Sequence, residues 1–180
     1  MESSFLISLG YSIGIVPEGK HAIGIIETGN DSLLLDIKSF SLWQLIFNIS
    51  TKDEFISKYN KMYDDNEAEK HLISLINHKV VIEIINKPEL DEYFDKLQNF
   101  KLFRQGFGIG INDKNLEGFI VVTDKEVILD FLEYSIWSAS NNVLTIKDIF
   151  NKVKDRGIDK TIFILLVLNL FNKNLVYLMR

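Results

Sequence analysis

The strongest constraint on the fold is an internal repeat, because a chain that repeats itself builds one supersecondary unit more than once. The sequence has two tryptophans, Trp43 and Trp137. When they are aligned, LLLDIKSFSLW (residues 33–43) lies over VILDFLEYSIW (residues 127–137). The alignment extends upstream without a gap, so that IGI (13–15) lies over FGI (107–109) and GII (24–26) over GFI (118–120).

Downstream the alignment needs one inserted residue. STKDEF (50–55) then lies over TIKDIF (145–150), and LINHKVV (75–81) over LFNKNLV (170–176). A match that runs from end to end with one gap predicts two copies of one module, residues 11–84 and 105–179. Pro88 and the apolar residues after it at helical spacing predict a helical linker between them.

Each copy has the pattern of short strands followed by helices. In copy one the pattern predicts strands at 11–16, 22–28, 32–37 and 80–84, and helices at 40–47, 52–62 and 66–77. Thr51 is a predicted N-cap, and Asp36 and Asp130 recur where each first helix would need one. The order predicts an α+β fold of two tandem winged-helix-like modules, each a small antiparallel β-sheet followed by three helices. The predicted domains are 1–86 and 104–180, with the linker at 87–103.

Composition excludes several classes of function. The 180 residues carry a net charge of −5, which does not favour nucleic acid or an anionic membrane as a partner. The absence of cysteine excludes disulfides and thiolate chemistry, and it fits a cytoplasmic location. The N-terminus lacks a basic region, so no signal peptide is expected. The longest apolar run, residues 161–171, is too short to span a bilayer, so a buried helix is the preferred interpretation.

No arrangement of residues is typical of catalysis. The histidines are His21, His71 and His78, and only His71 has a carboxylate, Glu67, at helical spacing. Without a third ligand, a surface pair is favoured over a metal site. GFGIG (106–110) has the glycines of a phosphate loop, but its counterpart YSIGI indicates a glycine-rich strand. We therefore predict a protein that is not an enzyme and needs no metal or cofactor.

The repeated pattern resembles a known peptide-binding family. A strand ending in LLLD, an aromatic residue followed by LW or IW, the STKDEF or TIKDIF break, and a helix closing in LINHKVV or LFNKNLV are similar to the PqqD-like RiPP recognition element. The resemblance covers most of the chain, and its motifs are loose. It implies a non-catalytic module that binds the leader of a ribosomally made precursor peptide and presents it to modifying enzymes. The duplication is a departure from the family pattern.

The resemblance implies that the leader adds as a strand beside the third strand and packs in a groove along the third helix. The matching segments are 32–37 with 66–77, and 126–131 with 159–171. Leu34 and Ile73 are expected to form the groove floor, with Lys70 and His71 at its rim. The candidate peptide-binding residues are Leu33, Leu34, Leu35, Lys70, His71, Ile73 and Asn77. The alternative is that the extra apolar residues bury against copy two.

Copy two carries a second apolar stripe on its third helix. Ile164, Leu165 and Leu168 are apolar where copy one has Glu69, Lys70 and Ile73. We expect this stripe to be covered by the other copy, by the linker helix or by a second subunit in a homodimer. With Ile128 it makes up the candidate groove or interface of copy two.

Two other classes of protein remain open. A tandem winged-helix transcription regulator would need a basic, exposed third helix, whereas NEAEKHLISLIN is mixed and DKTIFILLVLNLF is almost wholly apolar. An interaction or immunity protein that does not use a peptide groove is the third interpretation.

Overall fold

The computed structural model describes residues 4–19, 21–29, 31–47, 49–84, 90–111 and 118–180. The chain divides into two compact units, Met1–Pro88 with Arg180, and Glu89–Met179. Both are mixtures of helices and small antiparallel sheets, in agreement with the predicted α+β class. No helix in the described segments is long and apolar enough to cross a membrane.

Unit 1 contains two three-stranded antiparallel sheets and three helices. Its elements are β1 (Phe5–Ser8), β2 (Tyr11–Glu18), β3 (His21–Glu27), β4 (Ser32–Asp36), α1 (Ile37–Leu45), β5 (Ile49–Thr51), α2 (Lys52–Met62), α3 (Ala68–Asn77) and β6 (Val81–Ile84). One sheet has the order β2-β3-β4, and the other has the order β5-β1-β6.

Unit 2 has the same order of elements with one helix added in front. Its elements are α4 (Leu90–Leu97), β7 (Lys101–Arg104), β8 (Phe107–Ile111), β9 (Phe119–Val122), β10 (Glu126–Leu129), α5 (Phe131–Ala139), β11 (Asn141–Thr145), α6 (Ile146–Val153), a 3₁₀ turn (Lys154–Arg156), α7 (Lys160–Asn172) and β12 (Val176–Met179). Its sheets have the orders β8-β9-β10 and β11-β7-β12.

The second sheet of each unit differs from the expected single sheet followed by three helices. In unit 1 its central strand is β1, and β5 interrupts the run between α1 and α2. These strands are short and pair across long stretches of chain, so the local pattern does not reveal them. In unit 2 the central strand is β7, which the sequence assigned to the linker. The segment 87–103 therefore contributes a helix and a strand to unit 2.

The helix starts follow the predicted capping chemistry. The Asp36 carboxylate accepts a hydrogen bond from the Ser39 amide at 3.0 Å, and the Asp130 carboxylate accepts one from the Glu133 amide at 2.8 Å. Thr51 forms a capping box with Glu54 at the start of α2. Each oxygen satisfies an amide that the helix itself leaves without a partner. The three predicted N-caps are confirmed.

The strand register corrects the upstream part of the repeat alignment. Gly14 lies opposite Ile25, and Gly110 lies opposite Ile120, each directly after a bulge. The gapless alignment had instead set Gly14 against Gly108 and was therefore wrong. Each of the two connections between the strands of this sheet is one residue shorter in unit 2. A match of short motifs does not detect these one-residue differences. The two bulge glycines have φ values of +144° and +131°, which favour glycine.

A buried aromatic cluster holds the sheet of unit 1 against its helices. Trp43 stacks on Phe40 with ring centroids 5.9 Å apart, and each side chain is at most 1% exposed. A Cβ on Gly24 of β3 would lie 2.0 Å from the Phe40 ring, so the glycine permits this close approach. The same core includes Leu35 of β4 together with Leu72 and Leu75 of α3. The helix α1 therefore packs on one side of the β2-β3-β4 sheet, and α3 shares the same core.

Candidate functional site

The strand β4 lies at an edge of its sheet. It pairs with β3 from Ser32 to Asp36, and no strand in the described residues pairs with its other side. β10 has the same position in unit 2, where it pairs with β9 alone. The amide and carbonyl groups along such an edge are available to an added strand. Each unit therefore has an edge strand, β4 or β10, that could accept an extended peptide.

Neighbouring leucines of β4 point to opposite faces of the sheet. Leu35 is 4% exposed and lies opposite Gly24, on the side that Phe40 covers. Leu34 is 60% exposed and lies opposite Ile25 on the other face. Leu33 is half-buried and packs against the helical core.

This alternation separates two residues that the sequence analysis had joined. Leu34 faces away from the helices, so it does not share a groove floor with Ile73 of α3. The residues of β4 that face the helices are Leu33 and Leu35. An added strand would place alternate side chains on the helical side and on the Leu34 side.

The helix α3 has a buried stripe and an exposed one. Ala68, Leu72 and Leu75 are buried against the core. Ile73 lies off this stripe and is 57% exposed, and Asn77 is exposed as well. An exposed isoleucine on this helix is a candidate contact for an apolar side chain of a ligand.

The predicted rim residues differ in their availability. Lys70 is well exposed, and its Nζ lies 2.9 Å from Glu67 Oε1, which lowers the pKa of that carboxyl. The ring of His71 packs against Tyr59 with centroids 5.7 Å apart. Its Nε2 is enclosed without a hydrogen-bond partner and lies 3.7 Å from Glu67 Oε2. Lys70 can therefore contact a ligand if its exposed ion pair with Glu67 breaks. The His71 ring is instead packed partly in the core.

Asp36 ends β4 and caps α1. Burial acts to raise the pKa of its carboxyl, but hydrogen bonds from the Ser39 hydroxyl and amide outweigh it, so the pKa lies below its usual value. The helix α1 that it caps packs against α3.

A polar network that the sequence did not reveal fixes the start of α3. Asp65 accepts hydrogen bonds from the Tyr59 hydroxyl at 2.5 Å and the Glu67 amide at 3.0 Å. Lys38 Nζ lies 3.3 Å from Asp65 and 4.5 Å from the centroid of the Tyr63 ring. Three helices meet at this aspartate, beside a polar pocket of about 240 Å³. Lys38 lies 27 residues from Asp65 in the sequence, so no spacing motif indicated this network.

The candidate residues of unit 2 are only partly covered. Ile164 of α7 is fully buried, Leu168 is half-buried and Leu165 is 50% exposed. The helix α4 packs along α7, where Phe94 contacts Phe163 with ring centroids 6.2 Å apart. The linker helix thus packs on α7 at Phe163, while Leu165 of the predicted stripe stays half exposed. Ile128 of β10 occupies the position of Leu34 and is 56% exposed.

Unit 2 also contains a buried charge that ties α5 to α7. Glu133 is 4% exposed, and its Oε1 accepts hydrogen bonds from Lys173 Nζ at 2.6 Å and from the side-chain amide of Asn169. Its Oε2 accepts from the Asp130 amide at 3.1 Å in the capping box. The lysine compensates for the desolvated carboxylate. The equivalent position in unit 1 is Ser39, so this network distinguishes the two units.

Comparison of the chain with models of protein families, with curated proteins and with solved structures found no match. Among the described residues, no group of three or more histidine, aspartate or glutamate side chains is arranged to hold a metal ion.

Proposed function

We propose that this chain is a non-catalytic peptide-binding protein of two winged-helix-like units. It binds the leader of a ribosomally made precursor peptide and presents it to modifying enzymes in the cytoplasm. The observation that carries the proposal is the free edge of β4, with the exposed side chain of Leu34 on it and with α3 packed against the helix α1 that follows it. The sequence resemblance to PqqD-like recognition elements supplies the class of ligand.

The edge has the properties that peptide addition requires. Main-chain hydrogen bonds to β4 would give affinity for any extended segment. Side chains of the added strand would alternate between the Leu33 side and the Leu34 side, and both of these residues are apolar. A leader with apolar residues on both sides of its strand would therefore be preferred over a uniformly charged one.

The charges of α3 favour a peptide over a nucleic acid. Glu67 and Glu69 pair with Lys70 and Lys52, at 2.9 and 3.1 Å, so the helix carries no net positive stripe. DNA recognition depends on cations along the phosphate backbone. Lys70 alone can turn from Glu67 toward an acidic residue of the leader.

The test is a fluorescence-anisotropy titration with a labelled leader from a precursor peptide encoded beside this gene. Wild-type protein should bind it, and Ile73→Asp or Lys70→Glu should weaken binding at least tenfold, about 1.4 kcal/mol. Both residues are exposed, so the thermal midpoint should stay close to that of wild type. Unchanged affinity in both variants with the fold intact would contradict a site beside α3.

A matched pair of variants identifies the unit that binds. Leu34→Asp and Ile128→Asp change equivalent, similarly exposed residues in the middle of the two edge strands. If unit 1 binds the leader, only Leu34→Asp should raise the dissociation constant. Binding by unit 2 predicts the reverse, and loss in both variants indicates two working edges. Failure of the wild-type protein to bind any such leader would overturn the proposed function.

A further inference from the structure

The β8-β9-β10 sheet of unit 2 is apolar on both faces. Its inner face packs on α5, where Val121 and Leu129 are buried. Its other face is formed by Phe107, Ile109, Ile120, Val122 and Ile128. We call these five side chains the outer face of unit 2. An antiparallel sheet with one face in water normally alternates apolar with polar residues, and this sheet does not.

The strand register assigns four of these residues to one face. Phe107 lies opposite Val122, and Gly110 opposite Ile120, which in turn lies opposite Ile128. A Cβ on Gly108 would lie 3.1 Å from the Tyr134 hydroxyl on the inner side. The register gives Ile109 no partner, because it is the extra residue of the bulge between Gly108 and Gly110, and it is counted with the other four on its 59% exposure.

The exposed area of this face is large enough to matter. Phe107 and Ile109 are 81% and 59% exposed, and Ile128 is similarly open. With the two half-buried residues they present on the order of 400 Å² of apolar surface, the range in which a patch marks an interaction site. The strand β8 also lies at a sheet edge and contains neither a charge nor a proline to discourage association.

The corresponding face of unit 1 is less suited to burial. It holds Ile13, Ile23, Ile25 and Leu34, but its central strand also carries the carboxylate of Glu27, at the position that Val122 occupies in unit 2. Burying this charge would oppose association. In unit 2 the carboxylates beside this face, Glu126 and the N-cap Asp130, lie at the two ends of β10.

We propose that the outer face of unit 2 is the contact between two copies of this chain in a two-fold homodimer. A second copy offers an identical apolar sheet, and two such faces can stack at about 10 Å as in a sandwich. The five side chains contribute on the order of 400 Å² from each copy, about 800 Å² in all, which is the size of a weak, concentration-dependent interface. The inference does not depend on the proposed function.

The test is sedimentation velocity over a concentration series of the full chain. Wild-type protein should shift from one to twice the mass of a single chain, and Ile109→Asp should raise the dimer dissociation constant at least tenfold. Ile13→Asp is the matched control, because Ile13 is 53% exposed and also precedes a bulge glycine. It should dimerise as the wild type does.

Three results would overturn the dimer. These are a wild type that stays monomeric, an Ile109→Asp variant that dimerises normally, and an equal loss of dimer in Ile13→Asp. Circular dichroism of both variants should match the wild type, since both residues are exposed. A monomeric wild type whose leader binding is lost in Ile109→Asp would assign the face to the peptide instead.

Discussion

The indole Nε1 of Trp43 donates a hydrogen bond to the backbone carbonyl of Leu9 at 3.2 Å. Leu9 follows β1 and precedes β2, so the bond fixes the chain where it passes from one sheet of unit 1 to the other. Trp137 donates the corresponding bond to Gln105 at 2.9 Å, at the passage from β7 to β8. Trp43 thus ties α1, and Trp137 ties α5, to the segment that connects the two sheets of its unit.

Replacing either tryptophan should destabilise its unit strongly. Trp43→Ala should lower the free energy of unfolding by about 3–5 kcal/mol, because it empties the centre of a packed core. Trp43→Phe keeps most of the volume but leaves the Leu9 carbonyl without its donor, and should cost roughly 1–3 kcal/mol. Urea unfolding followed by circular dichroism measures both values. Ile73→Ala, at an exposed site, is the control and should change stability by no more than about 0.5 kcal/mol.

The N-cap Asp36 should make the stability of unit 1 depend on acid pH. Its folded-state pKa lies below the usual 3.8, so its contribution is present above about pH 4 and is lost as pH falls through the lowered value. At neutral pH, Asp36→Ala should cost about 1 kcal/mol through loss of the cap. Asp36→Asn keeps an acceptor but does not titrate. Urea unfolding at neutral and acid pH should therefore show a smaller pH effect in Asp36→Asn, and an unchanged pH effect would contradict this role.

The caps and the boundaries of α2 could be predicted from sequence because their causes are local. Thr51 and Glu54 form their capping box within one turn, and α2 begins and ends at the predicted residues, whereas α1 begins at Ile37 instead of residue 40. The strand β6 was predicted, but the sheet it joins was not, since β1 and β5 are each four residues or fewer and their pairing is non-local. For the candidate site, the sequence indicated that Leu34 and Ile73 are exposed but wrongly put them in one groove. That error came from treating consecutive leucines as one surface, which the alternation of a strand forbids.

The pair Lys173–Glu133 should contribute measurably to the stability of unit 2. Lys173→Met removes the cation 2.6 Å from a carboxylate whose side chain is 5% exposed. The loss should be roughly 1.5–3 kcal/mol, because the remaining charge keeps its desolvation cost with one partner fewer. Lys70→Met is the control, since it removes an exposed pair of similar length and should cost about 0.5 kcal/mol or less. Equal effects in the two variants, measured by urea unfolding, would contradict a special role for the buried pair.

Strand addition at β4 predicts a particular response to changes in the peptide backbone. In an edge-paired strand, alternate amides point toward the protein and the others toward solvent, so only every second N–H donates to β4. Leader peptides that carry one N-methyl group at successive positions should therefore bind in an alternating series, weakened by tenfold or more at one set of positions and by much less at the other. A groove that reads side chains alone would produce no period of two. Anisotropy titration of the series against wild-type protein, with Leu34→Asp as the site control, measures the pattern. Uniform affinity along the series, with binding still sensitive to Ile73→Asp, would move the peptide off the strand edge and onto α3.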